Sequence, residues 1–184
     1  MDYSANKFSK GHMTAEELES FVRESLSPDG KTLDLTANYI KEYGAKDLAS
    51  FEFLKDLATL ELGTNLIGEK GAKYLATSKC LVNLTSLNLF YNAIGNDGVK
   101  AIAVSDNLLS LVNLNLSDNN ITDEGARTMA KFLPLYANLT RLDMRFNKIK
   151  EEGKAALREA QKLTGIKQLL VDKEEGFQVK TAYQ

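Results

Sequence analysis

The sequence predicts an α/β solenoid, a stack of strand–turn–helix units, and three observations carry that prediction. Asparagines recur at positions 38, 65, 92, 119 and 147, a spacing of 27, 27, 27 and 28 residues. Two apolar residues at alternate positions precede each one: Leu33 and Leu35, Leu60 and Leu62, Leu87 and Leu89, Leu114 and Leu116, Leu142 and Met144. Each asparagine is followed by an isoleucine (Ile40, Ile67, Ile94, Ile121, Ile149), then a glycine (Gly44, Gly71, Gly98, Gly125, Gly153), then an apolar residue (Leu48, Leu75, Ile102, Met129, Leu157). One such unit cannot bury its own leucines, but a stack of them makes a continuous core.

The alternating apolar pair defines a short strand with one buried face. The glycine is expected to open a turn into a helix. Small residues (Ala45, Ala72, Ala126, and one turn later Ala49, Ala76, Ala103, Ala130) are expected to let that helix pack close to the strand. The asparagine is a polar side chain at an inward position. Unsatisfied, it would cost roughly 1–3 kcal/mol, so it must meet backbone groups of neighbouring turns. Repeated at one register, these amides would form a ladder. A sixth, degenerate copy runs Gln168-Leu169-Leu170-Val171-Asp172, with Leu169 standing 27 residues after Leu142.

The ends read as caps. Residues 14–30 are a capping helix and turn, in which Thr14 and Glu17 fit a capping box and Leu18, Phe21, Val22 and Leu26 share a face. Ser27-Pro28-Asp29-Gly30 is the turn into the first strand. Residues 31–172 hold the repeats, about five full and one degenerate. Lys154 and Arg158 stand where other units carry small residues, so the last helix should be partly exposed. Residues 1–13 are expected to be a mobile tail. Residues 173–184 are expected to be a C-terminal cap or edge strand, with Phe177, Val179, Thr181 and Tyr183 alternating with polar residues.

The motif LxxLxLxxNxIxxxG, read over residues 31–172, resembles a leucine-rich repeat of the ribonuclease-inhibitor-like type. The resemblance implies a short right-handed arc, with about six parallel strands on the concave face and helices on the convex face. It also implies a binding role rather than catalysis. Similar intracellular arrays occur in eukaryotic regulators and in effectors of host-invading bacteria. A cytoplasmic setting follows, or delivery into a host cell without a classical signal peptide.

Composition narrows the function. The chain has 184 residues, 43% hydrophobic and 26% charged, with a net charge of -2, so it folds but lacks the basic excess of a nucleic-acid binder. No apolar run approaches the roughly 18 residues that span a bilayer. One cysteine, Cys80, and one histidine, His12, leave neither an internal disulfide nor a zinc set. No cofactor or metal is expected. Gly63-Thr64-Asn65-Leu66-Ile67-Gly68-Glu69-Lys70 nearly matches a phosphate loop, but Glu69 stands where lysine should follow the glycine. Asp118 to Asp123 faintly resembles a calcium loop and lacks its glycine. Without a credible base, no nucleophilic site can be assembled, and the chain is not expected to be an enzyme.

The outward strand positions remain. Their central column runs Asp34, Glu61, Asn88, Asn115, Asp143, Leu170, and the next runs Thr36, Gly63, Phe90, Ser117, Arg145, Asp172. Aromatic and arginine side chains are over-represented among interface anchors. The candidate partner-binding residues are therefore Glu61, Asn88, Phe90, Tyr91, Arg141, Asp143, Arg145 and Phe146. The expected partner is a protein, with neither nucleic acid nor membrane involved and the chain itself a monomer. The alternative is a regulator of an enzyme, such as a GTPase-activating protein, with Arg141 or Arg145 as the available finger.

Overall fold

The computed structural model describes residues 13–172. The expected edge strand at 173–184 and all but the last residue of the expected tail at 1–13 lie outside those residues. Met13 packs against the core.

Strands and helices alternate along the chain: α1 (Ala15–Ser25), β1 (Thr32–Asp34), α2 (Lys41–Leu48), β2 (Thr59–Glu61), α3 (Gly68–Ala76), β3 (Ser86–Asn88), α4 (Gly95–Ala103), β4 (Asn113–Asn115), α5 (Asp123–Phe132), β5 (Arg141–Asp143), α6 (Glu151–Lys162) and β6 (Gln168–Leu170). The six strands form one parallel sheet in chain order. Their register is in phase, so Leu33, Leu60, Leu87, Leu114, Leu142 and Leu169 lie side by side. Strands this short cannot bury a face alone. Here the first five of those leucines are buried, with Leu35, Leu62, Leu89, Leu116 and Met144 behind them. The result is the expected α/β arc, with the sheet on one side and the helices α2–α6 on the other.

The capping box on α1 is formed: Glu17 N donates to Thr14 Oγ1 at 3.2 Å and Thr14 N donates to Glu17 Oε2 at 2.9 Å. Leu18 and Val22 are buried, closing the open end of the core. The turn at 27–30 is pinned by Ser27 Oγ, which donates to Asp29 Oδ1 and accepts from Thr32 N. Leu26 then bridges antiparallel to Leu33, covering the free edge of β1.

The asparagine ladder is present and has a direction. The Oδ1 of Asn119 accepts from the N–H groups of Asn92 and Ile94 in the preceding unit, at 2.9 and 3.2 Å. Its Nδ2 donates to Leu89 O of that unit and to Ser117 O of its own. Asn92 and Asn65 repeat the same pattern one and two units earlier, and Asn147 repeats it one unit later. Each amide thus closes the loop of the unit before it. The Asn38 side chain, with no repeat before it, donates among the described residues only to Thr36 O.

The loops held this way need holding. The residues flanking the asparagine are left-handed in unit after unit: Ala37 and Tyr39, Thr64 and Leu66, Tyr91 and Ala93, Asp118 and Asn120. That region is disfavoured for residues other than glycine and asparagine.

The recurrent glycine does not open the turn, as the sequence suggested. It lies inside the helix, and close approach explains it. A Cβ at Gly98 would overlap Ile94 Cγ2 and would sit 3.1 Å from Ala72 Cβ and 3.4 Å from Glu69 Cα of the preceding helix. The small residue after the glycine therefore serves contact between helices of successive units.

A second ladder runs along the far ends of the helices. Ser78 Oγ donates to Ala49 O at 2.6 Å and Ser105 Oγ to Ala76 O at 2.5 Å, each satisfying a terminal carbonyl of the preceding helix. In the 28-residue unit, buried Tyr136 takes over and donates its hydroxyl to Ile102 O. Burial pushes its phenol well above the ordinary range. Ser105→Ala is expected to lower stability by about 1 kcal/mol, read by urea denaturation, because it leaves Ala76 O unpaired.

The last helix is partly exposed, as expected. Lys154 and Arg158 both pair with Asp172, at 2.9 and 2.7 Å.

Candidate functional site

The strand face is built from the polar residues on either side of the buried leucines. At the central column, a local turn chemistry repeats. Asp34, Asn88, Asn115 and Asp143 each accept, through Oδ1, the backbone N–H two residues on, at 2.9–3.1 Å. These side chains steer the chain out of the strand and into the left-handed loop. Glu61 is one methylene longer and instead accepts from Asn88 Nδ2 at 2.7 Å.

The eight candidate residues fall into two groups. Glu61, Asn88, Phe90 and Tyr91 lie together around β2 and β3, with the Phe90 and Tyr91 rings 6.0 Å apart and tilted by 41°. Phe90 is 38% and Tyr91 51% exposed. Arg141, Asp143, Arg145 and Phe146 lie together around β5. Asp143 is buried, only 2% exposed. Arg145 clasps it through Nε and Nη2, the shorter contact being 2.7 Å, while Arg141 approaches at 3.6 Å. The Arg145 guanidinium stands 5.9 Å from the Phe146 ring. Asp143 is thus a buried anchor for two arginines, and a partner cannot reach it directly. β4 separates the groups, a distance of about 10 Å.

Sequence reasoning passed over three positions. Tyr39 and Leu66, one residue after their asparagines, are 43% and 53% exposed. Asp118 holds the same loop position in its unit as Tyr91 and Phe146 in theirs. The backbone hydrogen bonds Tyr91 N to Ser117 O and Asp118 N to Arg145 O stack the three loops in order. The repeat register contained this information, but left-handed loops, which set where these side chains project, have no compositional mark here.

The Asp118 carboxyl is half-buried, and burial raises its pKa. A carboxyl raised in the folded state favours folding while protonated and loses that advantage as pH rises through the folded value. At neutral pH the ionised group works against the fold. Asp118→Asn, which also suits a left-handed backbone, is expected to hold or raise Tm at pH 7. That gain should vanish below about pH 4, where Asp118 is protonated folded and unfolded. Scanning calorimetry at the two pH values checks it.

The helix side carries no comparable site. Asp123 Oδ1, from the rejected calcium-like stretch, accepts from Lys150 N and Gly153 N and so caps the next helix. Burial, and then Glu52 at 3.5 Å, push the Cys80 thiol up and away from thiolate chemistry. Among the described residues no group of three or more His, Cys, Asp or Glu side chains could hold a metal. No helix among them is long and apolar enough to cross a membrane.

Comparison with known proteins bears on the repeats. Residues 81–103, 107–130 and 137–157 match the family model described as Leucine Rich repeat. Over these segments the chain resembles a leucine-rich repeat. Each matched segment carries one helix of the stack, and Asn92, Asn119 and Asn147 of the ladder fall inside them. Among solved structures, the chain is similar to "Leiomodin-1 Actin-Binding Site 2 (ABS2)". The TM-score is 0.50 at 14% identity, over 90% of this chain and 82% of that one. At that identity the likeness speaks for the fold. A comparison with curated proteins finds no matching sequence.

Proposed function

We propose that this leucine-rich repeat chain is a non-enzymatic protein-interaction module that grips a protein partner on its strand face. Leucine-rich repeats serve generally as protein-binding scaffolds, and solenoids present extended surfaces suited to that role. The observation that carries the reading is the exposed aromatic pair Phe90 and Tyr91 beside the sheet, with Tyr91 held at φ 53°. Nothing in the fold requires a large ring there. A cytoplasmic setting and, as one biological form, a host-directed effector belong to the same reading. Of the two arginines the enzyme-regulator alternative would use, Arg145 is committed to Asp143, which leaves Arg141, hydrogen-bonded to Gln168, as its one candidate finger.

Affinity capture with mass spectrometry tests it. Wild type is compared with Glu61→Arg/Phe90→Ala on the strand face and with Lys73→Glu/Lys100→Glu on the helices. Proteins lost by the first variant and kept by the second support the strand face. Equal capture by all three counts against it.

A further inference from the structure

Resting on strand-face binding, we propose that the partner element is a basic, partly apolar segment, and that its lysine or arginine side chains are received by Glu61 and Asp118 beside the aromatic rim.

The charge layout carries this. Among the described residues, Asp34, Glu61 and Asp118 have no cation within ion-pair distance. Towards the other end of the same face the acid is matched, Asp143 by Arg141 and Arg145. The uncompensated carboxylates are interleaved with exposed apolar side chains: Tyr39, Leu66, Phe90 and Tyr91. Asp118 lies in its loop column between Tyr91 and Phe146, so a cation reaching it meets a carboxylate beside the loop that carries the exposed Tyr91. An acidic segment is repelled, and so is a second copy of this chain meeting the face with its own. A basic segment is attracted and steered.

The apolar side chains argue the same way. Tyr39, Leu66 and Tyr91 adopt left-handed backbone at φ 54°, 57° and 53° and stay exposed. Such positions favour glycine or asparagine. The fold derives little burial from them, whereas a bound segment would cover them.

Three fluorescein-labelled peptides of equal length test the proposal, each alternating apolar residues with Lys, Glu or Gln. The full chain is titrated with each, by fluorescence anisotropy and by amide shifts of nitrogen-15-labelled protein. The Lys peptide should bind most tightly, weaken with added salt, and shift amides around Glu61, Tyr91 and Asp118. Glu61→Gln/Asp118→Asn should weaken it about fivefold to tenfold with Tm unchanged or raised, which separates lost contacts from lost folding. Equal binding of the Lys peptide to that variant, or shifts confined to the helices, overturns the proposal. Strand-face shifts from the Glu or Gln peptide alone also overturn it, yet leave strand-face binding standing. Silence of the strand face with all three overturns it too, and the capture experiment then decides strand-face binding separately.

Discussion

Asn119→Ala will lower the stability of the chain by about 3–5 kcal/mol, one of the two largest single-residue effects expected here. The side chain is fully buried and makes four hydrogen bonds to backbone. Alanine removes all four. It strands the N–H groups of Asn92 and Ile94 and the carbonyl of Leu89 in a tightly packed interior, while Ser117 O keeps Tyr91 N as its donor. The two loops they belong to are left-handed at Tyr91, Ala93, Asp118 and Asn120, so losing the bonds also frees strained backbone. Asn38→Ala is the internal control. Its amide donates once, at the exposed beginning of the ladder, and the loss should stay below about 1 kcal/mol. Urea denaturation of both variants checks the pair; equal losses would mean that the ladder contributes through something other than these bonds.

Gly98→Val will cost about 2–3 kcal/mol by overpacking. The site is the centre of the stack, where α4 rests on α3. Ile94 lies one turn before the glycine, and its β-branched methyl fills the space a side chain would need. Ala72 Cβ and the backbone at Glu69 close the opposite side at 3.1 and 3.4 Å. Backbone cannot yield as a flexible side-chain tip can. The helices must separate, and the repeats on both sides lose contact. Gly68 offers the contrast: nothing stands within 4 Å of its Cβ, and its cost is confined to its left-handed φ of 69°. Gly68→Ala should therefore cost about 1 kcal/mol. Thermal melts of the two variants check the ordering.

Much of the fold was legible in the sequence because the repeat states its constraints five times over. A leucine pair that recurs in register can belong only to paired strands, and an inward asparagine can be tolerated only if bonded. The glycine was misread. From sequence, a glycine after a polar turn suggests backbone freedom, whereas here it answers to Ile94 and to a helix one repeat away. That contact is invisible until units are stacked. The candidate site was legible in part for a related reason. Phe90 and Tyr91 stood out as aromatics at outward positions. Asp143 was placed on the same outward column, yet two arginines close over it and bury it. Asp118 went unremarked as a binding residue. Its importance depends on what it lacks, and an absent partner has no signature in a string of residues.

The backward reach of each asparagine has a consequence for how the chain matures. A loop is locked only when the following unit arrives to clasp it. During synthesis, the folding front must therefore trail the ribosome by at least one repeat. The newest unit always waits, open, on a successor still being made. Removal of units from the C-terminal side should then unlatch the loop just before the cut, whereas trimming from the N-terminal side leaves the remaining clasps shut.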